Sequence, residues 1–99
     1  MSGKKATTAV PLVVTTKNKG VFFGYAQPTT EATIRIERAR MCVFWSVAMK
    51  GVLGLAVIGP DKECRIGPAV PGITLQDVTS VMECTPEAAQ KWEAQPWSN

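Results

Sequence analysis

The sequence predicts a mainly β fold of the α+β class: a small antiparallel sheet or partly closed barrel, finished by a C-terminal α-helix. Three observations predict it. Runs of β-branched and aromatic residues recur between turn-forming clusters from residue 10 to residue 84. Residues 33–37, Thr-Ile-Arg-Ile-Glu, alternate apolar and polar with the period of a half-buried strand. Thr85-Pro86-Glu87 is a helix start: a hydroxyl cap, proline at the first helical position and an acid in the first turn. Ninety-nine residues hold one domain. It is assigned to residues 9–99, after a flexible segment at residues 1–8.

Each element has a local reason. Residues 10–16 are rich in valine and threonine, and Lys17-Asn18-Lys19-Gly20 supplies a turn before residues 21–25 resume as a strand, which reads as a β-hairpin. Gln27-Pro28-Thr29-Thr30 breaks the chain, and Ile34 and Ile36 then face a core. If that strand continued without interruption, Arg38 and Arg40 would share the face of the isoleucines and be buried. A bulge between Glu37 and Arg40 that turns both arginines outward avoids the cost. Residues 42–45 resume as a strand with Phe44 and Trp45. Residues 51–58 are a buried helix or a buried strand, which their periodicity does not separate. Residues 63–66 form a short strand, and the prolines of residues 67–72 exclude central pairing. Residues 73–84 form the last strand region, with a bulge or tight turn at Gln76-Asp77. The helix runs from Pro86 to about Ala94, with Ala88, Ala89 and Trp92 on one face, and Pro96 ends it.

Composition removes several function classes. The chain has no histidine, so the commonest general base and metal ligand are missing, and with them any Ser-His or Cys-His nucleophile. No phosphate-cradling glycine motif, zinc-protease motif or nucleophile elbow occurs. The three cysteines, Cys42, Cys64 and Cys84, are widely spaced among apolar neighbours. They read as free, buried thiols of a reducing compartment, with no disulfide framework and no metal site. Residues 41–59 have the length of a bilayer span but carry Lys50 at their centre, which disfavours insertion. The expectation is a non-enzymatic protein with no cofactor, no metal and no membrane span.

Charge is uneven. Residues 1–50 carry eight Lys/Arg against two Glu, and residues 51–99 carry three against six acids. Arg35, Arg38, Arg40 and Lys50 stand beside Phe44 and Trp45. Guanidinium forks hold phosphate and an aromatic face stacks on a base, so Arg35, Arg38, Arg40, Trp45 and Lys50 are the candidate ligand-binding residues. Trp92 and Trp97, flanking the end of the terminal helix, are the candidate subunit contacts of a homo-oligomer.

A longer pattern adds to this reading. The runs Ala39-Arg40-Met41-Cys42-Val43-Phe44-Trp45-Ser46, Gly51-Val52-Leu53-Gly54-Leu55-Ala56 and Gly59-Pro60 are followed by Cys64-Arg65-Ile66, Ala69-Val70-Pro71 and Val78-Thr79. Thr85-Pro86-Glu87-Ala88, Trp92-Glu93 and Pro96-Trp97 complete it. Together they resemble a family of small uncharacterised bacteriophage and prophage proteins, over about residues 20–97. The resemblance implies a phage product acting in a host bacterial cytoplasm or in a virion, and it brings no catalytic motif. The expected function is a binding protein that counters bacterial defence, by sequestering a phosphate-bearing nucleotide signal or by masking a host protein. The alternatives are a virion or assembly component and a small barrel that binds nucleic acid.

Overall fold

Valine and threonine lose little on entering a pleated strand, and the first such run becomes β1 (Val10–Thr16), paired antiparallel with β2 (Val21–Ala26). The computed structural model describes residues 9–17, 20–44, 52–61 and 64–96; the expected flexible segment at 1–8 lies outside them. Thr16 N–H bonds to Gly20 O at 3.0 Å and closes the hairpin. The third strand, β3 (Ile34–Phe44), is longer than its alternating centre suggests. It pairs with β2 on one side, and also with β4 (Arg65–Ile66) and β5 (Val70–Leu75). The last strand, β6 (Val78–Glu83), pairs with β1.

Among the described residues the sheet has six strands in the path β4-β3-β2-β1-β6, with β5 also on β3. β5 and β6 are adjacent in sequence, joined by Gln76 and Asp77 alone, yet they pair at opposite ends of that path. The sheet therefore curls until its two ends meet at one tight turn without closing into a complete ladder. Asp77 makes the turn at φ 56°, and its carbonyl accepts Lys17 N–H at 2.9 Å. Pro71 lies inside β5, where residues 67–72 were expected to be loop. The strand tolerates proline because it pairs with β3 alone.

Alternation along the strands gives the sheet two buried faces. Leu12, Val14, Ile34, Ile36, Ala39 and Leu75 form the core inside the curl. Val13, Phe23, Cys42 and Ile66 form the opposite face, under α1 (Val52–Val57) and α2 (Pro86–Ala94). The ambiguous apolar run is thus helical in part. Gly59 follows α1 at φ 88°, and a Cβ there would lie 2.9 Å from Ala88 Cα, so only glycine lets the end of α1 pass against α2.

Helix α2 has the expected bounds, cap and buried face. Thr85 Oγ1 accepts Ala88 N–H at 3.1 Å and donates to Val57 O at 2.8 Å, so one hydroxyl caps α2 and ties it to α1. Trp92 is fully buried, stacks on Phe23 at 5.1 Å between ring centroids, and donates Nε1–H to Leu55 O at 3.0 Å. This corrects its assignment as a subunit contact: Trp92 is the residue that fastens the helix layer to the sheet. Trp97 lies outside the described residues.

Candidate binding surface

The site begins with a register change. Phe23 pairs with Arg40 and Tyr25 with Glu37, so Gly24 alone stands opposite both Arg38 and Ala39. A Cβ on Gly24 would come within 2.8 Å of Ile36, so the bulge needs glycine on the facing strand. Arg38 absorbs the extra residue at φ 50°, a left-handed conformation that costs a non-glycine residue about 1–2 kcal/mol. The expected bulge is present, and it turns Arg38 outward.

It does not turn Arg40 outward. One inserted residue shifts the alternation by one, so Ala39 joins Ile34 and Ile36 in the inner core, and Arg40 falls with Cys42 on the helix-covered face. Arg40 is 6% exposed. Its Nη1 donates to Trp92 O at 2.7 Å and to Glu93 O at 3.5 Å, and its Nε donates to Gly67 O at 2.7 Å. Trp92 and Glu93 lie in the last turn of α2, whose carbonyls have no partner within the helix. Desolvation lowers the proton affinity of the guanidinium, yet arginine stays charged at neutral pH. Arg40 is a buried cationic cap on α2 and not a ligand-binding residue.

Around Arg38 a small platform forms. Its guanidinium sits 4.1 Å from the centroid of Tyr25, and Nη1 is 3.8 Å from Glu93 Oε1. Tyr25 OH donates to Glu93 Oε2, and Tyr25 packs edge-on against Phe23 at 5.4 Å. Arg35 is exposed, and its guanidinium lies across Gly72. The exposed arginines Arg35 and Arg38 are thus accompanied by the exposed carboxylates Glu37 and Glu93, and the surface is close to neutral. Trp45 and Lys50 lie outside the described residues.

On the side of the sheet that carries Phe22, Ala39 and Ile73, opposite the face of Tyr25, is an apolar groove of about 180 Å³, lined also by Arg40, Met41, Pro68 and Val70. Met41, Val70 and the neighbouring Val43 are 43%, 41% and 65% exposed, so the groove continues into an open apolar strip. A second depression of about 200 Å³ is polar, between Thr29, Thr30 and Glu31 on one side and residues 78–81 on the other. Among the described residues no three His, Cys, Asp or Glu side chains gather as metal ligands. No described helix is long and apolar enough to cross a membrane.

Cys42 and Cys64 are buried, Cys84 is half-buried, and none is in a disulfide. Burial pushes the Cys84 thiol up from 9.0 to about 12. Thiol titration in denaturant is expected to count three per chain, and native Cys84 is expected to resist alkylation at pH 8, where thiolate is the reactive form. The sign for stability follows. The folded thiol binds its proton more tightly than the unfolded one, so its contribution is full below pH 9 and is lost as pH rises toward 12. Denaturant midpoints measured between pH 7 and 11 check this; a midpoint that rises above pH 9 would contradict it.

With this geometry in place, the family can be stated. The model of a domain of unknown function, DUF6948, matches residues 9–92. The chain belongs to that family. Searches among curated proteins and among solved structures give no match. In this DUF6948 chain the matched span runs from the first strand to Trp92, and so takes in Tyr25, Arg38, Arg40, α1 and α2 up to the residue before Glu93.

Sequence reasoning found Arg38 through its broken alternation and missed Tyr25 and Glu93. Tyr25 carries a signal, since it follows Phe23 at the spacing of one strand face. Glu93 carries none: it is 68 residues from Tyr25 and reaches it only when α2 packs on the sheet.

Proposed function

We propose that the protein is a non-enzymatic binding module that masks the surface of a partner protein. The setting is the one implied by the phage resemblance, an infected bacterial cell whose defence it counters. The observation that carries the choice of ligand class is the neutral platform of Arg38, Tyr25 and Glu93, in which the guanidinium is already accompanied by a ring and a carboxylate. Tyrosine and arginine are residue types enriched at protein interface hot spots. A phosphate site needs uncompensated positive charge, and here Arg40 is committed to backbone carbonyls while carboxylates accompany Arg35 and Arg38.

The reading is tested with Arg38→Gly, which removes the side chain and accepts the positive φ, and with Tyr25→Leu. Neither touches the buried cap. A partner isolated from host lysate by the wild-type chain is measured by calorimetry against each variant. Both are expected to weaken binding by about thirtyfold or more, the scale of a hot-spot truncation near 2 kcal/mol, with thermal midpoints little changed. A nucleotide released in equimolar amount on heating the purified protein would overturn the reading in favour of sequestration. Recovery of the chain in purified particles, or binding to nucleic acid with a steep salt dependence, would replace it with the virion or nucleic-acid alternative.

A further inference from the structure

Arg38 spends little of its hydrogen-bonding capacity inside the chain. Its guanidinium lies 4.1 Å from the Tyr25 centroid, and Nη1 stands 3.8 Å from Glu93 Oε1, beyond hydrogen-bond length. Among the described residues none of its guanidinium N–H donors forms a hydrogen bond. Arg40 is the contrast, with donors bonded to the carbonyls of Gly67 and Trp92. The Arg38 side chain is 64% exposed, so the unspent donors are open to a partner.

The fork is nevertheless held in place. Tyr25 OH donates to Glu93 Oε2, and the ring packs edge-on against the buried Phe23, so the surface on which the guanidinium rests is fixed. The backbone beneath is left-handed at φ 50°, a conformation that glycine would adopt without strain. The bulge accounts for the conformation but not for the arginine. A non-glycine residue kept at a strained position calls for a use of its side chain. An arginine already stacked on a ring also has less rotamer freedom to lose on binding than one loose in water.

We infer that Arg38 receives a carboxylate, the side chain of an aspartate or glutamate on the partner protein. This role for Arg38 rests on the masking reading above and names the group that the platform recognises. Nη1 faces Glu93, which leaves Nε and Nη2 with two parallel N–H bonds on one edge of the guanidinium for the two oxygens of a planar carboxylate. Charge selects among anions. Glu37 stands opposite Tyr25 in the ladder and Glu93 lies beside Arg38, so an incoming anion meets two carboxylates. An acidic side chain brings one negative charge, whereas a phosphate monoester brings about 1.5 to 2 at neutral pH. A nucleic-acid backbone brings one per phosphate but needs several cations together. Here Arg40 is committed to carbonyls and Arg35 lies across Gly72. A chain terminus is captured by consecutive backbone N–H groups, and this site offers a side-chain fork.

The full chain is titrated with N-acetylaspartic acid methylamide, with its asparagine counterpart and with dimethyl phosphate, and the arginine Nε–H resonances are followed by NMR. Arg35 is the internal reference, exposed on the same strand with no ring beneath it among the described residues. The aspartate probe is expected to half-saturate the Arg38 shift at a concentration about tenfold below that for Arg35, the scale of one charge-assisted hydrogen bond. The asparagine counterpart should move neither resonance, and dimethyl phosphate should bind Arg38 more weakly than the aspartate probe. Tyr25→Leu is expected to bring Arg38 to the level of Arg35, because the ring aims the fork. Equal half-saturation at the two arginines in the wild type overturns the inference, and that titration needs no variant to fold. So does tighter binding of dimethyl phosphate, which would assign the fork to a nucleic-acid backbone, and so does a preference that survives Tyr25→Leu. Its loss leaves the masking reading standing where Arg38→Gly still weakens the isolated partner. Conversely, a carboxylate held by Arg38 together with full partner binding by Arg38→Gly sinks the masking reading alone.

Discussion

Arg40→Ala is expected to lower the stability of the domain by about 3 kcal/mol, because it removes charged hydrogen bonds to buried carbonyls and leaves those carbonyls without a partner. The affected oxygens belong to Gly67, Trp92 and Glu93, so the loss reaches the loop before β5 and the last turn of α2 together. At a urea m-value of about 1.5 kcal/mol per molar, the midpoint falls by about 2 M. Arg40→Lys is expected to recover only part of the loss. An ammonium is a point donor and cannot span carbonyls on separate elements as the guanidinium fork does. Equilibrium urea unfolding of the variants beside Arg38→Gly separates the two arginines. A midpoint for Arg40→Ala within 0.3 M of the wild type, an interval of about 0.5 kcal/mol, would mean that the cap contributes nothing.

The second large effect is expected at Trp92. Truncation of a fully buried tryptophan to alanine costs about 3–5 kcal/mol, a large share of the roughly 5–15 kcal/mol by which a domain is stable at all. Here the ring lies parallel to Phe23, with 7° between the planes, and its Nε1 satisfies Leu55 O in α1. Trp92→Phe keeps the stack and loses the donor, so it isolates the unsatisfied carbonyl at about 1–3 kcal/mol. A double-mutant cycle of Trp92→Phe with Phe23→Leu measures the coupling of the rings, expected near 1 kcal/mol. If Trp92→Ala were to leave the unfolding midpoint unchanged while abolishing self-association, the residue would be a subunit contact after all, against its burial.

The elements that sequence reasoning placed well are those with local causes. The first hairpin follows from β-branched runs on either side of a turn, and α2 follows from Thr85, Pro86 and Pro96, whose effects act within one turn of the backbone. The bulge at Arg38 was also legible, because burying two guanidinium groups beside Ile34 and Ile36 is costly in any fold. The short helix at Val52–Val57 was not, since a buried helix and a buried strand are both apolar without periodicity.

What the sequence by itself determined is therefore the first hairpin, the alternating centre of the third strand, α2 with its cap, and the need for a register break between Glu37 and Arg40. Tertiary structure alone decided what the break accomplishes. The bulge of one residue sends Ala39 to the inner core and leaves Arg38 and Arg40 both on the side of α2, Arg40 beneath the end of the helix and Arg38 at its exposed rim. Arg40 is held inside because the unpaired carbonyls of α2, more than fifty residues away in sequence, come to rest above it. Arg38 remains outside because the face it would have shared is filled by Ala39. The strand alternation identified both arginines as unusual, but the partners that bury one and expose the other arrive only when the helix layer packs on the curled sheet.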